Sequence, residues 1–294
     1  IVLTNLYEFG FDANALMMMT AFSANMKIAL ENAELMKDSI EKEKYKSELL
    51  LARNIQQKLL PQKLPKIAHY SISAFNMPAT EVGGDYYDIV KLSNGDFCIV
   101  IADVSGKGIS AAFYMAQLKG VVLAVASTCT SPKELLSKVN ATLYGNMEKS
   151  MYITMSAIRL SSNGVDSDFA RAGHMPFIIK RDNKVEMLIP KGLGIGLSSA
   201  DRFDKYLERA EIKLNQGDAV LLFTDGINEL RLDHDEEFGY EPLYEIIAKD
   251  HEFADDMIED IKNEIIARKG MIAGHDDMTL VAIINKNGTI AKTE

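Results

Sequence analysis

Cysteine is scarce in this chain of 294 residues: only Cys98 and Cys129 occur, one inside an apolar run and one in a threonine-rich stretch. A disulfide scaffold is excluded, a zinc centre built on cysteine has too few ligands, and a reducing compartment, the cytoplasm by default, is expected. Positive charge is short as well. Lysine and arginine number 32 against 42 acids, a formal net charge of -10, so a general affinity for nucleic acid or anionic lipid is not expected. Long hydrophobic runs are missing too. The most apolar stretch, Gly108 to Pro132, is divided at Lys119 into charge-free halves of 11 and 13 residues, each short of the roughly 20 that span a bilayer. It reads as a buried helix, and no membrane span is expected. There is no internal repeat, low-complexity segment or signal peptide, and the chain opens at Ile1 and not at methionine, which predicts a piece of something longer.

What is present falls into three expected segments. Residues 1–10 read as a short strand and turn, followed by a helix from about Asp12 in which Leu16, Met19, Phe22, Met26, Leu30, Ala33 and Met36 recur at spacings of three and four. From Lys37 charges dominate. Ile40, Ser47, Leu50 or Leu51, Ile55 and Leu59 form the only seam for a parallel coiled coil, and a solvated helix without a partner is the alternative. Pro61 and Pro65 end this helix. The boundaries are therefore 1–36, a linker helix over 37–65, and a domain over 66–294. In that domain strands are expected at 70–77, 96–103, 151–160, 166–174, 177–180, 218–225 and 278–285, with helices at 109–126, from Ser131-Pro132, at 241–249 and at 253–269. Strands mixed with a few helices in this order fit helix-covered sheets, an α/β protein of the α+β kind, better than a doubly wound repeat.

Acids mark the tips of these strands. The apolar run 97–102 leads straight into Asp103, the run 219–224 delivers Asp225 and then Gly226, and Asp276-Asp277 stand immediately before the last strand. A carboxylate beside a buried strand is costly unless neutralised, and a hard divalent cation does this economically. Oxygen donors with few histidines select magnesium or manganese over zinc. The stretch EVGGDYYD (81–88) adds Gly83, Gly84, Asp85 and Asp88. Alone it reads equally well as a glycine turn with solvated acids. Beside the other tips, Asp85 becomes a wall of a metal cleft and Asp88 a turn or supporting acid.

Five ordered motifs, EVGGDYYD (81–88), IADVSGKG (101–108), ARAGHMP (170–176), LLFTDGINE (221–229) and DDMTLVAI (276–283), together with IQQKLLP (55–61), resemble the metal-dependent PPM (2C-type) protein phosphatases, in particular their bacterial SpoIIE and RsbU branch. The resemblance covers about 54–285. It implies an αββα sandwich of two mainly antiparallel sheets, preceded here by a long helix, with two Mn²⁺ or Mg²⁺ ions between the sheets. Asp85, Asp103, Asp225 and Asp276 match the family's metal-binding aspartates, Val104 the position whose carbonyl is a ligand, and Asp277 a supporting position. In such a centre two metals activate a water that attacks phosphorus directly, and no Cys-x5-Arg loop is present to compete with that reading. Lys107 stands where many relatives carry histidine. The branch generally lacks the histidine general acid of its eukaryotic relatives; His174 is a candidate for that role, although a structural role suits a histidine in a strand-end turn better. The glycines of 191–197 lack the GK[ST] of a P-loop. Residues 11–38 resemble the closing helix of a GAF sensory domain, which implies a homodimer joined through this helix. The branch resemblance implies a phosphorylated STAS-type anti-anti-sigma protein as substrate. A catalytically silent dimeric module that binds a phosphoprotein is the competing reading, as is a phosphohydrolase of small molecules.

Overall fold

The computed structural model describes residues 13–182, 184–232, 236–269 and 276–286, so the strand expected within 1–10 lies outside the described residues. The chain divides into two compact units, Ile1–Leu51 and Ala52–Glu294. The described part of the first is helical and belongs to α1 (Ala13–Leu59), a helix of 47 residues with none buried. Leu16, Phe22, Leu30, Met36 and Ile40 are all exposed. Ion pairs one turn apart, Lys27–Glu31 and Lys44–Glu48, lie along it and add only tenths of a kcal/mol each.

In the second unit two five-stranded sheets, antiparallel throughout, stack face to face. One runs β1 (Tyr70–Met77), β10 (Met278–Asn285), β9 (Ala219–Phe223), β6 (Phe177–Arg181) and β7 (Lys184–Leu188). The other runs β2 (Tyr86–Lys91), β3 (Phe97–Val104), β4 (Ile153–Leu160), β5 (Asp166–Ala172) and β8 (Arg209–Lys213). The period of two along a strand sorts the core into layers. On β9, Val220 and Leu222 turn inward to the second sheet, while Ala219, Leu221 and Phe223 turn outward to the helices α6 (Glu241–Ala248) and α7 (Ala254–Lys269). On the far side, α2 (Ile109–Ala126) lies on β2 and β3, and α3 (Pro132–Leu143) on β4 and β5. The order helix, sheet, sheet, helix is the expected αββα sandwich.

Strands β1 and β10 and helix α2 have the bounds read from the sequence, and α3 starts as its capping signal requires, with the Ser131 hydroxyl accepting from the Glu134 amide. Other strand ends move by one to two residues. Three strands were not expected: β2, because EVGGDYYD drew attention to its glycines, and the edge strands β7 and β8. Helices α4 (Ala200–Tyr206) and α5 (Asp225–Asn228) are too short to show a period. Helix α2 departs in another way. Apolar on most sides, it is expected as a buried helix, yet only the stripe Ala111, Met115, Leu118, Val122 and Ala126 is covered, and Phe113 is 73% exposed. Length and apolar composition alone would suffice for a membrane span, but here that stripe is part of the domain core. Lys119, the charge that interrupts the run, reaches Asp88 at 3.0 Å and so fastens α2 to β2.

Candidate active site

Antiparallel pairing explains how residues far apart in sequence meet. Tyr86 opposes Ala102, so the start of β2, with Asp85, and the end of β3, with Asp103 and Val104, share one edge of their sheet. Leu280 opposes Phe223, so Asp225 after β9 and Asp276 before β10 share one edge of the other. The two edges face each other across the sandwich. Asp103 feels the charges of Asp225, Asp276 and Asp277, and Asp85 those of Asp103 and Asp277. The four predicted aspartates therefore converge in one acidic cleft.

The carboxylates are held at some cost. Burial, then the charges of Asp103 and Asp277, push the Asp85 carboxyl well above the usual range. Burial followed by Asp225, Asp276 and Asp277 pushes Asp103 up to about 7, and burial with Asp276 and Glu229 raises Asp225. Hydroxyl donors offset part of this at Asp85: its Oδ2 accepts from Thr224 Oγ1 at 2.8 Å and Thr279 Oγ1 at 2.5 Å. Neither threonine was singled out from the sequence, although both lie inside quoted motifs.

Asp277 explains the glycines of EVGGDYYD. Its Oδ1 accepts from the Ala79 amide at 2.8 Å and its Oδ2 from the Gly84 amide at 2.6 Å, so it fastens the loop that carries Asp85. A Cβ on Gly83 would fall on this carboxylate, and one on Gly84 would lie 2.9 Å from the Val104 carbonyl oxygen. Close approach, and not a positive φ, requires glycine at both positions. Gln56, at the end of α1, completes the loop: its Nε2 donates to the Gly83 carbonyl at 2.6 Å and its Oε1 accepts from the Gly83 amide at 3.0 Å. No local signal in the sequence connects residues 27 positions apart.

Two candidates hydrogen-bond to groups other than the four aspartates. Asp88, read as a turn or supporting acid, lies within β2, where it accepts from Lys119 and from the Tyr86 hydroxyl at 3.0 Å. His174 is buried, its Nδ1 hydrogen-bonded to Thr154 Oγ1 at 2.8 Å, and burial with the nearby Arg171 charge lowers its pKa to about 3. A ring that stays neutral at physiological pH does not suit the general-acid role, and the structural reading is favoured. The 191–197 glycines pack against the chain: a Cβ on Gly192 would meet the Arg171 carbonyl.

Beside the aspartates opens a cavity of about 360 Å³ lined by Lys107, Gly226, Glu229, Leu230, Arg231 and Asp276. Lys107 Nζ lies 2.6 Å from Asp276 Oδ2. Among the described residues no three histidine, cysteine or acidic side chains form a ready-made metal cage. The donor chemistry nevertheless fits a hard divalent ion. Every donor is an oxygen, the acids repel one another, and two of their carboxyls are held far above their ordinary range.

A family model described as Stage II sporulation protein E (SpoIIE) matches residues 93–285. The chain is 33% identical over 248 residues to phosphoserine phosphatase RsbU of Bacillus subtilis (strain 168), covering 82% of this chain and 71% of that protein. Among solved structures, the SiaA-PP2C domain of Pseudomonas aeruginosa superposes with a TM-score of 0.69 at 19% identity, over 82% of this chain and 96% of that one. RsbX in complex with magnesium superposes with a TM-score of 0.56 at 15% identity, over 76% and 98%. At these identities the two structures show the shared fold alone.

Proposed function

Because the chain belongs to the SpoIIE family of PP2C-type phosphatases, we propose that it removes phosphate from phosphoserine or phosphothreonine in a protein, using two Mn²⁺ or Mg²⁺ ions. The observation that carries this reading is the meeting of Asp85, Asp103, Asp225 and Asp276 from two facing sheet edges, with the Asp103 carboxyl pushed up to about 7 by burial and by its neighbours. In this reading the four carboxylates and the Val104 carbonyl hold the metals. When bound, the ions lower the pKa of a water and clamp the phosphoryl oxygens. The chain supplies position. Thr224 and Thr279 orient Asp85, Asp277 and Gln56 hold its loop, and the cavity at Lys107 and Arg231 admits the phosphorylated side chain.

A phosphoserine substrate accords with the name of the RsbU relative, and a STAS-type anti-anti-sigma protein in the cytoplasm is the proposed target. Dimerisation and regulation through α1 are supported by its exposed apolar side chains. Hydrolysis of an aryl phosphate and of a phosphoserine protein, with and without Mn²⁺, tests the chemistry. Activity is expected only with metal and is lost in Asp225→Asn; metal-independent hydrolysis, or full activity of that variant, overturns it. Binding of the phosphoprotein without turnover would favour the silent module. Sedimentation of the wild type against Ile40→Glu tests the dimer, and two identical monomers would remove it.

A further inference from the structure

Lys107 enters the cleft from the opposite side to the acid it touches. It sits in the turn between β3 and α2, on one sheet, and its ammonium lies 2.6 Å from Oδ2 of Asp276, which precedes β10 of the other. The second oxygen of Asp276 is also engaged, since Oδ1 accepts from the Asp277 amide at 2.9 Å. Both oxygens of Asp276 thus carry a hydrogen-bond or ion-pair partner. The two partners differ in how easily they release. The amide is backbone at the mouth of a buried strand, whereas the Lys107 side chain is 60% exposed and can leave without uncovering the core.

The turn around Lys107 is lightly packed at Gly108. Gly106 and Gly108, on either side of Lys107, have φ of +89° and +73°, in the region where glycine is at ease and other residues are strained. A Cβ on Gly108 would meet nothing within 4 Å, so the backbone here is not wedged in place. Asp103 and Asp225 also lie within reach of the Lys107 charge, and the side chain lines the cavity beside them.

We infer that Lys107 is a tethered counter-cation of the acidic cleft: it occupies Asp276 Oδ2 when no metal is bound, a divalent ion has to displace it, and it thereby sets the affinity of that corner for metal. This inference rests on the two-metal reading above. Lysine suits the part because an ammonium on a flexible stem neutralises a carboxylate as a point charge without chelating it. An exposed ion pair of this kind is worth only roughly a two- to fivefold factor. Repulsion between the retained ammonium and an incoming dication adds to that penalty, so its removal is expected to tighten metal binding by about three- to tenfold.

The test is calorimetric titration of Mn²⁺ into the metal-stripped full chain, for wild type, Lys107→Met, Lys107→Arg and Asp225→Asn, with thermal melting of each protein with and without Mn²⁺. Lys107→Met should bind one Mn²⁺ more tightly by that factor and gain more in melting temperature from the metal, while Lys107→Arg stays near the wild type. Unchanged or weaker binding by a folded Lys107→Met overturns the inference. If the wild type binds Mn²⁺, Asp225→Asn loses it and Lys107→Met is unchanged, only the role of Lys107 falls. If the wild type takes up no Mn²⁺, or Asp225→Asn binds as well as wild type, the two-metal reading fails and this inference with it.

Discussion

Gly226 connects the two acids that come from the first sheet. It follows Asp225 at the start of α5, and a Cβ placed on it would lie 2.0 Å from the Asp277 carbonyl oxygen and 3.2 Å from the Asp276 carbonyl carbon. Real Cβ contacts do not fall below 3.0 Å, so Gly226→Ala forces α5 and the start of β10 apart by about 1 Å. Both neighbours are backbone and cannot swing aside. Overpacking of this kind costs about 1–3 kcal/mol, and alanine in a helix returns up to about 1 kcal/mol relative to glycine. A net loss of about 1–2 kcal/mol corresponds to a fall in Tm of roughly 2–8 °C for a unit of this size. The effect on function should be far larger. Metal–ligand distances tolerate about 0.2 Å, and a misplacement of about 1 Å costs on the order of 100-fold in rate. Scanning calorimetry together with Mn²⁺-dependent hydrolysis of a phosphoserine protein separates the two effects. A Gly226→Ala protein that keeps a rate within about threefold of wild type would refute the argument that this contact sets the spacing of Asp225 and Asp276.

Lys119→Met leaves Asp88 largely buried with only the Tyr86 hydroxyl and the Ile89 amide as donors; a loss of about 3 kcal/mol in urea unfolding, with Mn²⁺ affinity unchanged, is expected, and a changed affinity would return Asp88 to the site. His174 has a folded pKa lowered from 6.5 to about 3 by burial and by Arg171, so its contribution is fully present above pH 6.5 and is lost as pH falls toward 3. At about 1.4 kcal/mol per unit, wild type should lose about 2 kcal/mol between pH 7 and pH 5 through this residue; His174→Asn should lose correspondingly less, and an identical pH slope in urea unfolding would contradict it. Gly120 lies in α2 with an ordinary φ and open space where a Cβ would go, so Gly120→Ala should stabilise by about 0.5–1 kcal/mol; a lower Tm would mean that the exposed side of α2 is covered.

The parts of the fold legible in the sequence are those with a strong local signal. The apolar run of β10 and the capping serine and proline of α3 needed no tertiary information. Strands β7 and β8 alternate exposed with half-buried residues on sheet edges, so their composition resembles a loop. Helix α2 was apolar enough to be read as enclosed, and only its packing shows which stripe is covered.

The same division holds at the site. The donor chemistry is already written in the chain, as aspartates at strand tips, glycines beside them and no cysteine or histidine set to compete, because residue type and strand end are local properties. Which acids meet is a matter of long-range packing, because antiparallel register brings Asp85 to Asp103 and Asp225 to Asp276 and sheet stacking turns the two pairs toward each other. Tertiary packing sent Asp88 to Lys119 and His174 to Thr154, and gave Asp277 the glycine loop to hold. Those choices depend on contacts between residues distant in sequence, up to 193 positions apart for Asp277 and Gly84, which no local pattern of side chains encodes.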